Sequence, residues 1–123
     1  MTSNPKDTTG MLNITERQAD DITILDLEGN VIMGGGSQLL RDTIRRLIEE
    51  GKLQVLLNFG GVKYIDSSGI GELVSGLVAL NREGGQLRLF NLTERVEEVM
   101  TLSSLLSLFE IFKDEADALA AVK

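Results

Sequence analysis

The sequence predicts an α/β domain with the element order ββαβαβαβα and a sheet that is at least partly parallel. Three observations carry that prediction. Short runs rich in Val, Ile and Leu alternate with longer segments whose apolar residues recur at helical spacing. Glycines fall between these segments, where chain breaks are needed. The run Gln54–Phe59 is almost continuously apolar, the pattern of a strand buried on both faces of a parallel sheet. With 123 residues, 42% of them apolar, the chain has one domain's worth of sequence and enough aliphatic side chains for a core.

The elements follow in order. Residues 1–10 are polar, carry the only proline, and are expected to be a mobile tail. The domain is expected over residues 11–123. Met11 to Ile14 reads as a short strand, and Gln18 to Asp21 as a polar turn. Ile22 to Glu28 reads as a hairpin partner closed by Gly29-Asn30, with Thr23, Leu25 and Leu27 on one face and Ile22 and Ile24 on the other. Gly34-Gly35-Gly36 breaks the chain, and Ser37 is placed to cap a helix whose buried stripe is Leu40, Ile44, Leu47 and Ile48. Arg45 and Arg46 stand four residues before Glu49 and Glu50 on its wet side, and Gly51 ends it. After Gln54–Phe59, Gly60-Gly61 is read as a turn and Val62 to Ile65 as a separate extended piece. Asp66 to Gly69 opens a second helix with the stripe Leu73, Val74, Leu77 and Leu80, which stops at Gly84-Gly85. Gln86 to Phe90 is the next strand, with Phe90 expected as an incompletely buried aromatic. Thr93 caps a third helix bearing Val96, Val99 and Met100; Leu105 to Phe112 is expected to hold the last strand, and Asp114 to Val122 an Ala-rich final helix.

Two absences bound the chemistry. Without cysteine there is no disulfide, thiol chemistry, Cys-ligated zinc or iron–sulfur cluster; without histidine there is no Ser-His-Asp triad, His base or His-ligated metal. Only an all-oxygen metal site stays open, since 19 acidic residues are present, but no motif pins any of them together. A net charge of −7 disfavours nucleic acid and anionic membranes as partners. No run approaches the roughly 20 apolar residues of a membrane span, and residues 1–10 have no signal-peptide pattern, so a cytoplasmic protein is expected.

The segment Asp66-Ser67-Ser68-Gly69-Ile70-Gly71 sits where a strand gives way to a helix. Free N–H groups and the positive end of the helix dipole gather there, so an anion, including a phosphoryl group on serine, is stabilised. Gly69 and Gly71 leave room for an approaching partner. The plainer reading is that Asp66, Ser67 and Ser68 only cap the helix, since these are common capping residues. Gly71, Ser75, Gly76 and Ala79 make one side of the second helix small, which fits either a partner groove or close packing within the domain. Gly34 to Gly36 match neither a P-loop nor a dinucleotide fingerprint.

Taken together, Ile22 to Gly29, Val55 to Asn58, Tyr64 to Gly71, Gly84 to Leu89 and Val96 to Leu105 resemble the STAS domain, in particular the stand-alone bacterial anti-sigma factor antagonists. The resemblance runs from about Leu12 to Ala120. It implies a mixed sheet of four to five strands with helices packed mainly on one face. It implies a switch protein without catalytic residues, metal or cofactor. Such a protein binds an anti-sigma factor that is also a serine kinase, releases the sigma factor, and is switched off by phosphorylation until a serine phosphatase resets it, as in stress-response or sporulation partner switching. The phosphorylated residue maps to Ser67, with Ser68 as second choice. Asp66, Ser67, Ser68, Gly69, Ile70 and Gly71 are then expected at the partner surface.

The match departs from the family after Gly29. Related antagonists often continue Gly-Glu-Leu-Asp, whereas this chain reads Gly29-Asn30-Val31-Ile32, followed by Met33 and three glycines. Ile32 and Met33 are accordingly expected as an exposed apolar edge of the partner surface. The glycine of the turn after the third helix is replaced by Ser104. The alternative reading is an unphosphorylated STAS scaffold for a protein, a nucleotide or a lipid-transport partner.

Overall fold

A computed structural model describes residues 11–122; the expected tail, residues 1–10, lies outside them. The elements are β1 (Leu12–Ala19), β2 (Ile22–Val31), α1 (Gly36–Glu49), β3 (Gln54–Ile65), α2 (Ser67–Arg82), β4 (Gln86–Phe90), α3 (Glu94–Leu102), a 3-10 turn (Leu106–Leu108), β5 (Glu110–Phe112) and α4 (Glu115–Val122). The order of strands and helices is the one the sequence predicts. The five strands lie side by side in chain order, with β1 antiparallel to β2 and every later pair parallel.

Strand alternation assigns the two faces. Leu25, Leu27, Val55, Leu57, Phe59, Leu87 and Leu89 point into the main core, where α1, α2 and α3 contribute Leu40, Ile44, Leu47, Leu73, Leu80, Val96 and Met100. Ile22, Ile24, Leu56 and Phe90 point the other way and are covered by Ala118, Leu119 and Val122 of α4. Phe90 is therefore buried, contrary to the incompletely buried aromatic expected. The final helix crosses beneath β4 and closes that face, which the strand's own alternation does not reveal.

Three other expectations are corrected. β1 runs on to Ala19, so the turn shrinks to Asp20-Asp21. Gly60-Gly61 does not turn the chain. β3 continues unbroken to Ile65 and stays paired with β2 through Glu28↔Gly61, Gly29↔Val62 and Val31↔Ile65, with register shifts on either side. A side chain at Gly61 would press on the Leu27 carbonyl and the Glu28 side chain, and one at Gly60 would collide with Asn91. The glycines thus serve a bulge and close neighbours. Finally, the last strand is only Glu110–Phe112, because Leu106–Leu108 is wound into the 3-10 turn.

Helices α1, α2 and α3 end alike. In each, the residue after the C-cap has positive φ (Gly51, Gly84 and Ser104), and paired bonds run back into the last turn, such as Leu105 N–H to the Met100 carbonyl and Ser104 N–H to the Thr101 carbonyl. Ser104 holds at φ 62° a conformation that the other two helices give to glycine. At the other end of α3, Thr93 accepts from Val96 N–H, as its sequence position predicts.

Candidate functional site

β2 and β3 run parallel and finish together at Val31↔Ile65; β3 leads through Asp66 into α2, and β2 through the loop of residues 32–35 into α1. The starts of α1 and α2 therefore lie side by side at the same end of the sheet. Crevices at the carboxyl ends of parallel strands are where open α/β sheets bind their ligands.

Asp66 joins the two chain segments. Its backbone is extended (φ −118°), and its carboxylate accepts the Gly69 N–H at 2.9 Å, the capping bond of α2. The other carboxylate oxygen accepts the Met33 N–H at 3.0 Å, which fastens the loop before α1 to the start of α2. Burial pushes this carboxyl up, but the N–H groups of Met33, Gly69, Ser68 and Asp66 itself outweigh burial and hold it below the usual carboxylate range. A fixed negative charge therefore stands at this position at neutral pH.

The two serines differ. Ser67 is exposed at the first position of α2. Ser68 is half-buried, and its hydroxyl donates to the hydroxyl oxygen of Ser37 at 2.7 Å. Ser37 is not the cap of α1 that the sequence predicts. The cap position falls to Gly35, with no side-chain capping bond, and Ser37 lies inside the first turn, 6% exposed and facing α2. The contact joins residues 31 apart, so no local spacing marks it.

Gly69 and Ile70 belong to the foundation of the site. Gly69 is buried, and a side chain there would collide with the Val31 carbonyl, so glycine permits α2 to start against the end of β2. Ile70 is 4% exposed and packs in the main core. Gly71 is exposed with open space around it. Ile32 is half-buried, while Met33 is 74% exposed. Of the residues expected at the partner surface, those that reach it are Ser67, Gly71, Met33 and the half-buried Asp66, Ser68 and Ile32.

Two exposed apolar residues that the sequence does not single out as partner residues stand at the same end. Leu39 lies in the first turn of α1, and Tyr64 lies on β3 two residues before Asp66 with the Arg95 guanidinium 4.9 Å from its ring centroid. The sequence signals for Tyr64 are an aromatic outside the apolar stripes and its place at the start of the STAS-like stretch Tyr64 to Gly71. The small side of α2 permits close helix packing within the domain. Gly76 is buried against Ile44 of α1, and Ser75 and Ala79 help line a groove of about 280 Å³ between the helices.

Residues 13–118 match the STAS domain. Among known proteins, the chain is 28% identical over 112 residues to BtrV of Bordetella bronchiseptica, covering 91% of this chain and 96% of that one. It is 27% identical over 101 residues to the anti-sigma-B factor antagonist of Bacillus subtilis, covering 81% and 90%. The fold is similar to that of SpoIIAA, an anti-sigma factor antagonist. The unphosphorylated form gives a TM-score of 0.69 at 18% identity over 89% of this chain and 97% of that one. The phosphorylated form gives 0.70 at 20% identity over 90% and 100%. With the family match spanning most of its length, the chain belongs to the STAS domain family.

Proposed function

We propose that this protein is an anti-sigma factor antagonist that docks an anti-sigma factor on the α2 start and the Met33 edge, and is released when Ser67 is phosphorylated. The observation that carries this reading is the pairing of an exposed Ser67 with an engaged Ser68 beside the fixed Asp66 carboxylate. The names of the relatives and the existence of SpoIIAA in both phosphorylation forms support it. The protein acts in this reading as a binding module in the cytoplasm and contributes no catalytic group. The anti-sigma factor supplies the serine kinase, and a serine phosphatase reverses the modification. Among the described residues, no helix is long and apolar enough to cross a membrane.

Phosphorylation adds roughly −1.5 to −2 charges at pH 7. On Ser67 that charge stands next to Asp66, and both then face any partner seated on the loop. The bound form pays for burying this pair of like charges, while the free form offsets part of it through the helix dipole and solvent. Repulsion at the interface, with the fold unchanged, is sufficient to drive release.

The test is incubation with the cognate serine kinase and ATP, read by intact mass. One phosphate, absent in Ser67→Ala, is expected. Binding to the kinase without any mass gain would favour an unphosphorylated STAS scaffold. The feature behind that second reading is the apolar Ile32-Met33 pair, where related antagonists often carry Asp at the position of Ile32.

A further inference from the structure

We propose that Ser37 is the positioning residue that directs the phosphoryl group to Ser67 by withholding Ser68; the proposal rests on the reading of this site as a kinase substrate. Two adjacent serines open α2, and sequence alone makes both acceptors. The structure separates them through a third serine on another helix. Ser37 is 6% exposed, takes no part in capping α1, and accepts the Ser68 hydroxyl at 2.7 Å. A buried hydroxyl is costly unless paired, and alanine would fill a small interhelical position without that requirement. The bond turns Ser68 toward α1, whereas Ser67 faces solvent.

In the transfer, a serine Oγ attacks the γ-phosphorus of a nucleoside triphosphate. The new O–P bond replaces the bond to the β,γ-bridging oxygen, the nucleoside diphosphate leaves, and the hydroxyl proton passes to a base of the kinase. The attacking oxygen must reach the phosphorus in line with the leaving group. Ser68 meets that requirement only after breaking its bond to Ser37 and rotating outward. Ser67 meets it as it stands.

The test compares four chains with the serine kinase and ATP, with the modified residue located by fragmentation mass spectrometry and folding checked by thermal melting. Wild type is expected to carry phosphate on Ser67. Ser67→Ala is expected to carry next to none. Ser67→Ala with Ser37→Ala is expected to gain phosphate on Ser68 at a rate about fivefold above Ser67→Ala alone, the shift that follows from losing one ordinary hydrogen bond. Ser67→Ala with Ser37→Thr retains the acceptor and is expected to keep Ser68 silent. A folded Ser67→Ala/Ser37→Ala chain that is modified no faster than Ser67→Ala overturns the role of Ser37 and leaves the switch at Ser67 standing. A wild-type chain that gains no phosphate refutes the reading beneath the proposal, and the proposal falls with it.

Discussion

Replacing Asp66 with alanine separates the architecture of the site from its charge. The carboxylate makes two bonds to backbone N–H groups, to Gly69 at 2.9 Å and to Met33 at 3.0 Å. Loss of an N-cap aspartate costs about 1 kcal/mol. The second bond has a charged acceptor, but the site is partly open to water, so about 1 kcal/mol is appropriate there too. The sum of about 2 kcal/mol corresponds to a fall in melting temperature of roughly 8 °C for a domain of this size. Asp66→Asn keeps one acceptor oxygen and should fall about half as far. The pH dependence follows from the direction of the shift. The folded pKa lies below the unfolded value of about 3.9, so the stabilisation is fully present above pH 4 and is lost as pH falls through the folded value. Wild type and Asp66→Ala should therefore converge in strong acid. Thermal melts between pH 2 and 7 provide the measurement, with hydrogen exchange of the Met33 amide reporting the loop directly. A change below about 2 °C at pH 7, or a difference that persists undiminished at pH 2, would refute the assignment of these bonds to the ionised carboxylate.

Other substitutions test other parts of the structure. Gly69→Ala drives a methyl group into the Val31 carbonyl and should lower the melting temperature sharply. Gly71→Ala, two residues on in open space, should raise it by the few degrees expected from about 0.8 kcal/mol of helix propensity. Ser104→Gly relieves a positive φ at the end of α3 and should stabilise by about 0.5–1 kcal/mol in chemical denaturation; no change would argue against the left-handed turn there. Ser67→Asp should weaken capture of the anti-sigma factor in a pull-down, and undiminished capture would count against the repulsion mechanism.

The fold was legible wherever one face of an element decides its neighbours. The alternation in Ile22–Leu27 and the stripe of Leu40, Ile44 and Leu47 sort into their cores as their periodicity predicts. Reading failed where a residue's reason lies in a distant segment. Gly60-Gly61 has the composition of a turn, yet its small size answers to Asn91, Leu27 and Glu28 across strand boundaries. Phe90 looks exposed on its own strand because the helix that buries it begins 25 residues later. Ser37 stands where a cap belongs, beside a glycine triplet whose last member is already helical. The same division runs through the site. The Asp66–Gly71 motif is local and was readable. The Met33–Asp66 and Ser37–Ser68 contacts, which give its two serines and its carboxylate different roles, link α1 and the loop before it to the start of α2 and were not.

Capping and the proposed switching do not compete at Asp66-Ser67-Ser68, because the same arrangement suits both. A capping aspartate must have its carboxylate at the helix start, fixed by N–H donors and ionised at neutral pH; Asp66 meets each condition. Those conditions also define a charge that cannot move aside when a phosphate arrives on the next residue. A mobile carboxylate on a loop would swing away and relax the repulsion. One tied at both oxygens cannot do so without giving up Gly69, Met33 or both. The stability measured for Asp66 is therefore also a measure of how rigidly the proposed switch holds its charge. Weakening the Met33 bond alone, by replacing that amide with an ester, should loosen the loop and blunt the release that phosphorylation of Ser67 produces. If release were as complete in the ester as in the amide, the fixed carboxylate would not contribute to the switch, and the bulk and charge of the phosphate would account for it unaided.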